Sequence, residues 1–297
     1  MDTDMTAPGF ERIVPKHARL DRVAYGLQFG EGPVWNARHG FLLWVDIVGD
    51  TIWKWIPGKG TEIFLRPSGK ANGMTYDRQG RLVVAGWASR TVWRMEPDGS
   101  IVTLASHYQG KKINTPNDIV VKSDGATYWT DPPMAMYIPG MAGDDVQRYL
   151  DFIGVFRLSP DGSTLTSVAG DFINPNGLAF SPDESLLYIN DTSRRHIRVF
   201  DVQPDGTLRN GRLFYEARGD EPGNPDGMKV DTEGNVYCTG PAGIHVTDPR
   251  GNLLGRMKIP GHVTNMAWGD ADWRSLYITT RDSVYRVRLH VAGVSVS

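Results

Sequence analysis

Six times along this chain the same pattern returns, and no other feature restricts its fold so sharply. In the second copy, Asn72-Gly73-Met74-Thr75-Tyr76 leads through Gln79-Gly80 to Arg81-Leu82-Val83-Val84-Ala85. A loop then gives Thr91-Val92-Trp93-Arg94-Met95, Pro97-Asp98-Gly99 turns the chain, and Ser100 to Leu104 runs outward. The other copies begin at Glu31-Gly32-Pro33-Val34-Trp35, Asn117-Asp118-Ile119, Asn176-Gly177-Leu178, Asp226-Gly227-Met228 and Asn265-Met266-Ala267. The turn after the third run recurs as Pro57-Gly58, Pro160-Asp161-Gly162, Pro204-Asp205-Gly206 and Pro249-Arg250-Gly251. Gly there supplies the positive φ of a tight hairpin, and Pro cannot extend a ladder. Four short strands in each repeat of roughly 40–50 residues predict an all-β fold, a six-bladed β-propeller of four-stranded antiparallel blades.

The sixth copy lacks an outer strand, because only a short tail follows Ser283 to Arg288. An unsealed edge would invite pairing with other chains. The segment Leu20 to Leu27, which precedes the first copy, is expected to supply the missing strand and join the two ends of the chain. The whole of 1–297 then reads as a single domain, with 1–19 as an N-terminal extension. Thirty-four Gly and 19 Pro suit the many turns, and nine Trp with eleven Tyr suit half-buried strands.

Several classes are excluded by charge and composition. A formal charge of -2 with dispersed basic residues offers no footprint for nucleic acid. No run approaches the roughly 20 apolar residues of a membrane span, and Met1 to Phe10 lacks an apolar signal core, so a cytoplasmic protein is expected. One cysteine, Cys238, rules out an internal disulfide framework and reads as packing within a strand. There is no Gly-x-Ser-x-Gly elbow, no His-Glu-x-x-His, no phosphate-binding Gly-Lys-Ser/Thr loop and no dinucleotide Gly-x-Gly-x-x-Gly.

The residues that open the six copies are Glu31, Asn72, Asn117, Asn176, Asp226 and Asn265. Each offers a side-chain oxygen, and in a closed ring all six should converge at one end of the axis, as a cage for a hard divalent cation would. Strand direction puts the loops between second and third strands on that same face. The longest, 132–153, carries Met134, Met136, Tyr137, Ile138 and Met141 and is expected to act as a lid. His107 and His262 fall on connections of this face. Asp46, Asp131 and Asp191 end three of the second strands, where backbone bracing is the first expectation.

These segments, with Asn114-Thr115-Pro116-Asn117-Asp118, Thr130-Asp131-Pro132-Pro133 and Thr264-Asn265, resemble the regucalcin (senescence marker protein)/gluconolactonase/luciferin-regenerating-enzyme-like family from about Leu20 to Leu289. The resemblance implies one axial divalent metal and hydrolysis of sugar lactones. It maps the metal ligands onto Glu31, Asn176 and Asp226, with Asn117 at the metal and facing substrate. Ca²⁺ is the leading choice, with Mg²⁺, Mn²⁺, Zn²⁺ or Fe²⁺ as alternatives.

Lactone opening needs a base for the attacking water and support for the developing oxyanion. Asp226 suits the first role and Asn117 the second. Asn114, Trp87, Tyr137 and Met136 are expected to contact substrate. Gly86-Trp87-Ala88 stands where the family often carries Glu-His or similar polar residues, and Met134-Ala135-Met136 intervene before Tyr137 where an aromatic commonly follows the paired prolines, which suggests a less polar lactone as an alternative to a sugar lactone. A phosphotriester or ester hydrolase at the same site and a non-catalytic calcium-binding propeller are the competing functions. The partner expected is a small-molecule lactone, with no nucleic acid and no membrane.

Overall fold

The expected alternation of apolar runs and turns builds six blades around one axis in a computed structural model that describes residues 1–296. Blade 1 holds Gly30–Asn36, Phe41–Asp46, Thr51–Ile56 and Gly60–Leu65 from axis to rim. Blade 2 holds Ala71–Tyr76, Leu82–Gly86, Thr91–Met95 and Ile101–Ala105, and blade 3 Ile119–Val121, Thr127–Asp131, Gly154–Leu158 and Leu165–Ala169. Pro175–Phe180, Leu186–Asp191, His196–Val202 and Leu208–Glu216 form blade 4. Met228–Val230, Val236–Gly240, Gly243–Thr247 and Leu253–Lys258 form blade 5. In blade 6, Val263–Gly269, Ser275–Thr280 and Ser283–Arg288 are completed by Leu20–Tyr25, which pairs antiparallel with the third strand from Leu20↔Val287 to Tyr25↔Ser283. The ring is thus closed by the N-terminal strand that the missing outer strand called for.

The first 19 residues do more than precede the ring. Asp2–Met5 adds a fifth strand to the rim of blade 5, and the turn of helix Phe10–Ile13 buries Phe10 and Ile13 in the seam between blades 5 and 6. Among the described residues no helix is long and apolar enough to cross a membrane.

Each blade is covered on both faces, so successive strand residues enter opposite seams. Leu82 and Val84 pack between blades 1 and 2, while Val83 and Ala85 pack between blades 2 and 3. Leu43 and Val45 likewise face blade 2, and Leu42 and Trp44 face blade 6. Full burial of such side chains contributes about 1.5–3 kcal/mol each. Cys238 belongs to the seam between blades 4 and 5, where burial pushes its thiol up to about 12. The glycines of the five turns after third strands have φ of 74–86°, the left-handed geometry that the recurrent Pro-x-Gly text requires.

Around the axis hydrogen bonds run from blade to blade, from blade 2 through blades 3, 4, 5 and 6 to blade 1. Gly73 N–H donates to the Asn117 carbonyl at 2.7 Å, and Thr130 Oγ1 to that of Asn176 at 2.7 Å. Gly177 N–H donates to the Asp226 carbonyl at 2.9 Å and Gly227 N–H to that of Thr264 at 2.7 Å. Thr264 Oγ1 then reaches the Gly30 carbonyl at 2.6 Å, which returns the circuit to blade 1. The glycines are needed for closeness, since a Cβ on Gly177 would collide with the Asp226 carbonyl and approach Met228 N to 2.8 Å. Gly177→Ala should therefore destabilise the fold by about 2–3 kcal/mol. Urea unfolding measures this, and a loss under 0.5 kcal/mol, on the order of a neutral surface change, would show that the ring relaxes freely.

Candidate metal centre

The inner strands begin with a break in the ladder, and the break is what turns a side chain toward the axis. Register shifts fall between Glu31 and Val34, Ala71 and Met74, Pro175 and Leu178, and Val263 and Asn265. In blades 3 and 5 the strand proper starts only at Ile119 and Met228, so Asn117 and Asp226 precede it.

The segment leading into three of these positions is held by a buried aspartate from the end of a second strand. Asp46 accepts from the Gln28 and Phe29 amides at 3.1 and 2.9 Å, just ahead of Glu31. Asp131 accepts from Asn114 N–H at 2.7 Å, ahead of Asn117, and Asp191 from Ile173 N–H at 2.8 Å, ahead of Asn176. In blade 5 the Thr239 hydroxyl accepts from Asp226 N–H at 2.6 Å. The bracing expected of Asp46, Asp131 and Asp191 is what they do. Burial pushes the Asp131 carboxyl up to about 8.

Glu31 is enclosed, and its Oε2 takes both Gly32 N–H at 2.8 Å and Asn265 Nδ2 at 3.0 Å. Both bonds fall on one oxygen, which leaves Oε1 for another partner. Burial, and then the nearby Asp118 carboxylate, push Glu31 up to about 7 against the pull of its two hydrogen bonds. Asp226 is raised well above the usual carboxylate range, first by burial and then by the Glu31 and Asp118 charges. Asn176 donates Nδ2 to Thr192 Oγ1 at 3.2 Å, and its Oδ1 is buried with no hydrogen-bond partner. Asn117 is buried, with its backbone tied on both sides to Thr130 and Gly73. Among the described residues no three or more His, Cys, Asp or Glu side chains are grouped to hold a metal ion. Any cation here must take carboxylate and amide oxygens together, a donor set for a hard ion.

The sixth position is corrected. The carbonyl that accepts the neighbouring glycine amide belongs to Thr264, not Asn265, as Asn117 and Asp226 show in their own blades. Asn265 Oδ1 is taken by Met266 N–H at 2.8 Å, so this residue presents its Nδ2 to Glu31 and orients the carboxylate. Asp118 plays the same local part in blade 3, with Oδ1 on Ile119 N–H at 2.9 Å, but its second oxygen faces inward unpartnered by any hydrogen bond. Sequence reasoning assigned no role to Asp118 beside Asn117 or to Lys229 three residues after Asp226, although both stand in the repeats as charged residues at the inner strands.

The expected substrate contacts are also rearranged. Asn114 is fully enclosed and donates Nδ2 to the Asp131 carbonyl at 3.1 Å, which braces the approach to Asn117, while its Oδ1 is buried with no hydrogen-bond partner. Trp87 lies in the seam between blades 1 and 2. Loop 132–153 leaves blade 3, forms the short helical turn Met134–Tyr137, and lays Ala135 and Met141 onto that same seam. Met136 is buried, whereas Tyr137 is 66% exposed. The methionine-rich side of the lid is therefore spent on packing. His107 is exposed and His262 half-buried, the latter beside a cavity of about 280 Å³ between blades 5 and 6.

Arg90 pins the lid. Its buried guanidinium donates to the carbonyls of Ile113 at 2.7 Å, Asn114 at 2.9 Å, Gln147 at 2.8 Å and Asp145 at 3.2 Å. A lysine keeps the charge but not the fork, so Arg90→Lys should cost about 2–3 kcal/mol and speed amide exchange across 144–150. Exchange confined to its parental rate in that segment would show the loop is held by other contacts.

A model of the SMP-30/gluconolactonase/LRE-like region matches residues 29–282. The gluconolactonase of Zymomonas mobilis subsp. mobilis is 34% identical across 97% of this chain and 86% of its own length. The pentonolactonase of Haloferax volcanii is 28% identical, over 85% of this chain and 81% of its own. A gluconolactonase structure from Xanthomonas campestris superposes with a TM-score of 0.90 at 33% identity, covering 97% of this chain and 95% of that one.

Proposed function

This chain belongs to the SMP-30/gluconolactonase/LRE-like family, and we propose that it hydrolyses a sugar lactone with one divalent cation held by Glu31, Asn117, Asn176 and Asp226. The observation that carries the proposal is the burial of Glu31 and Asp226 at one site, where the Glu31 charge raises the proton affinity of Asp226, beside an Asn176 oxygen that has no partner. Like charges brought together in a buried place, next to an unsatisfied acceptor, are stabilised by a cation. Ca²⁺ is the ion we favour for an all-oxygen set of carboxylates and amides, with Mg²⁺, Mn²⁺, Zn²⁺ or Fe²⁺ as competitors in the same test.

When bound, such an ion polarises a carbonyl and acidifies a coordinated water. The chain's own residues supply the rest. Asp226 keeps some solvent access, unlike Glu31, and so it is the residue placed to take the proton from the attacking water. Water adds to the acyl carbon, the ring carbon–oxygen bond breaks, and the departing alkoxide takes up a proton to leave a hydroxy acid. Asn117 orients the lactone carbonyl with its amide, and Asn265 holds Glu31 in place through Oε2. A sugar lactone is favoured over a less polar ring because Trp87, Met136 and Met141 are committed to packing.

The test is pH-indicator turnover of aldonolactones by chelated protein to which each ion is restored. Chelation should abolish turnover. At metal saturation, Asp226→Asn should lose about 10²- to 10⁴-fold in rate, whereas Glu31→Gln should be partly rescued by excess cation. An Asp226→Asn protein with its site full and its rate intact would remove Asp226 as the base. Stabilisation by the ion with no turnover of any lactone would make this a non-catalytic cation-binding propeller.

A further inference from the structure

The side chain of Lys229 reaches past blade 4 to blade 3. It leaves the inner strand of blade 5, donates Nζ to the Met228 carbonyl at 2.9 Å, and brings its ammonium to 3.7 Å from Asp118 Oδ2 in blade 3. Blade 4 lies between these two in the ring, so the pair spans the central channel. Asp118 is all but completely buried, with side-chain exposure of 3%, and Oδ2 has no hydrogen bond. Below, Lys229 lines a cavity of about 420 Å³ at the other mouth of the channel, together with Val120, Phe180, Trp268 and the tail residue Val294. The ammonium therefore stands between that mouth and the inward acids of alternate blades, Glu31, Asp118 and Asp226.

Three carboxylates facing one narrow channel repel one another, and little water is there to screen them. We propose that Lys229 is a positioning residue, a resident cation that holds Glu31, Asp118 and Asp226 in register before a divalent ion arrives and weakens the binding of that ion by its own charge. The inference rests on the cage described under Proposed function, and it adds a residue that touches neither substrate nor ion. Removing a fixed positive charge makes room for another. Affinity for an added cation should then rise while the ion-free protein loses stability.

The experiment is calorimetric titration of Ca²⁺ into the chelated full chain, with thermal unfolding in the absence of the ion and at saturation, for wild type, Lys229→Met and Lys229→Arg. Lys229→Met should bind Ca²⁺ about tenfold more tightly. Without the ion it should melt about 2–4 °C below wild type, and the gap should close at saturation. Lys229→Arg, which keeps the charge, should resemble wild type in both measurements. If Lys229→Met does not fold, Lys229→Gln takes its place with the same expected shifts. An unchanged dissociation constant, or a melting gap that persists at saturation, would make Lys229 a packing residue only and overturn the inference. Wild-type protein that binds none of the ions tested would instead overturn the cage itself, and this inference with it.

Discussion

Closure of the ring depends on a series of short hydrogen bonds between adjacent blades near the axis, running from Gly73 of blade 2 round to the contact of Thr264 Oγ1 with the Gly30 carbonyl of blade 1. A propeller blade buries both faces, so no blade is complete until it has two neighbours. The circuit forces the strand starts close together, and only glycine at positions such as 177 and 227 permits the approach. It also decides function. The residues that must be adjacent for the chain to close are those whose side chains are left facing the axis.

That geometry places acids where acids are costly. Glu31, Asp118 and Asp226 come from blades 1, 3 and 5, and they share a channel lined by buried amides. Burying carboxylates without compensation is unfavourable, and each here has found a partial remedy. Glu31 has Asn265 and the Gly32 amide, Asp226 lies beside Asn176, and Asp118 has Lys229. The remedies remain incomplete, as the raised proton affinities of Glu31 and Asp226 show. That residual cost is what the proposed cation would offset.

The braces explain how loops can hold such a site rigidly. Asp46, Asp131 and Asp191 each fasten the segment two to three residues ahead of an inward side chain, so loop freedom is removed where it would blur the cage. Loop 132–153 is fastened by Arg90, which bridges the Asp145 and Gln147 carbonyls of the loop to those of Ile113 and Asn114, and by Ala135 and Met141 in the seam between blades 1 and 2. The lid thereby crosses from blade 3 to blades 1 and 2, and its apolar residues pack it down.

The repeat, the turns and the missing outer strand were legible in the sequence because they depend on local chemistry: period-two burial, positive φ at glycine and the cost of an open edge. Glu31, Asn117, Asn176 and Asp226 were legible for the same reason, since each opens a repeat. Asn265 misled because its text matches the others while the backbone circuit passes through Thr264, a one-residue offset that no local pattern reveals. Trp87, which packs in the seam between blades 1 and 2, was read as facing a ligand because loop position cannot say which way a side chain turns once the blades close. The encounter of Lys229 with Asp118 lay furthest beyond the sequence. Two residues 111 positions apart meet only because closure brings blades 3 and 5, on either side of blade 4, to one narrow channel.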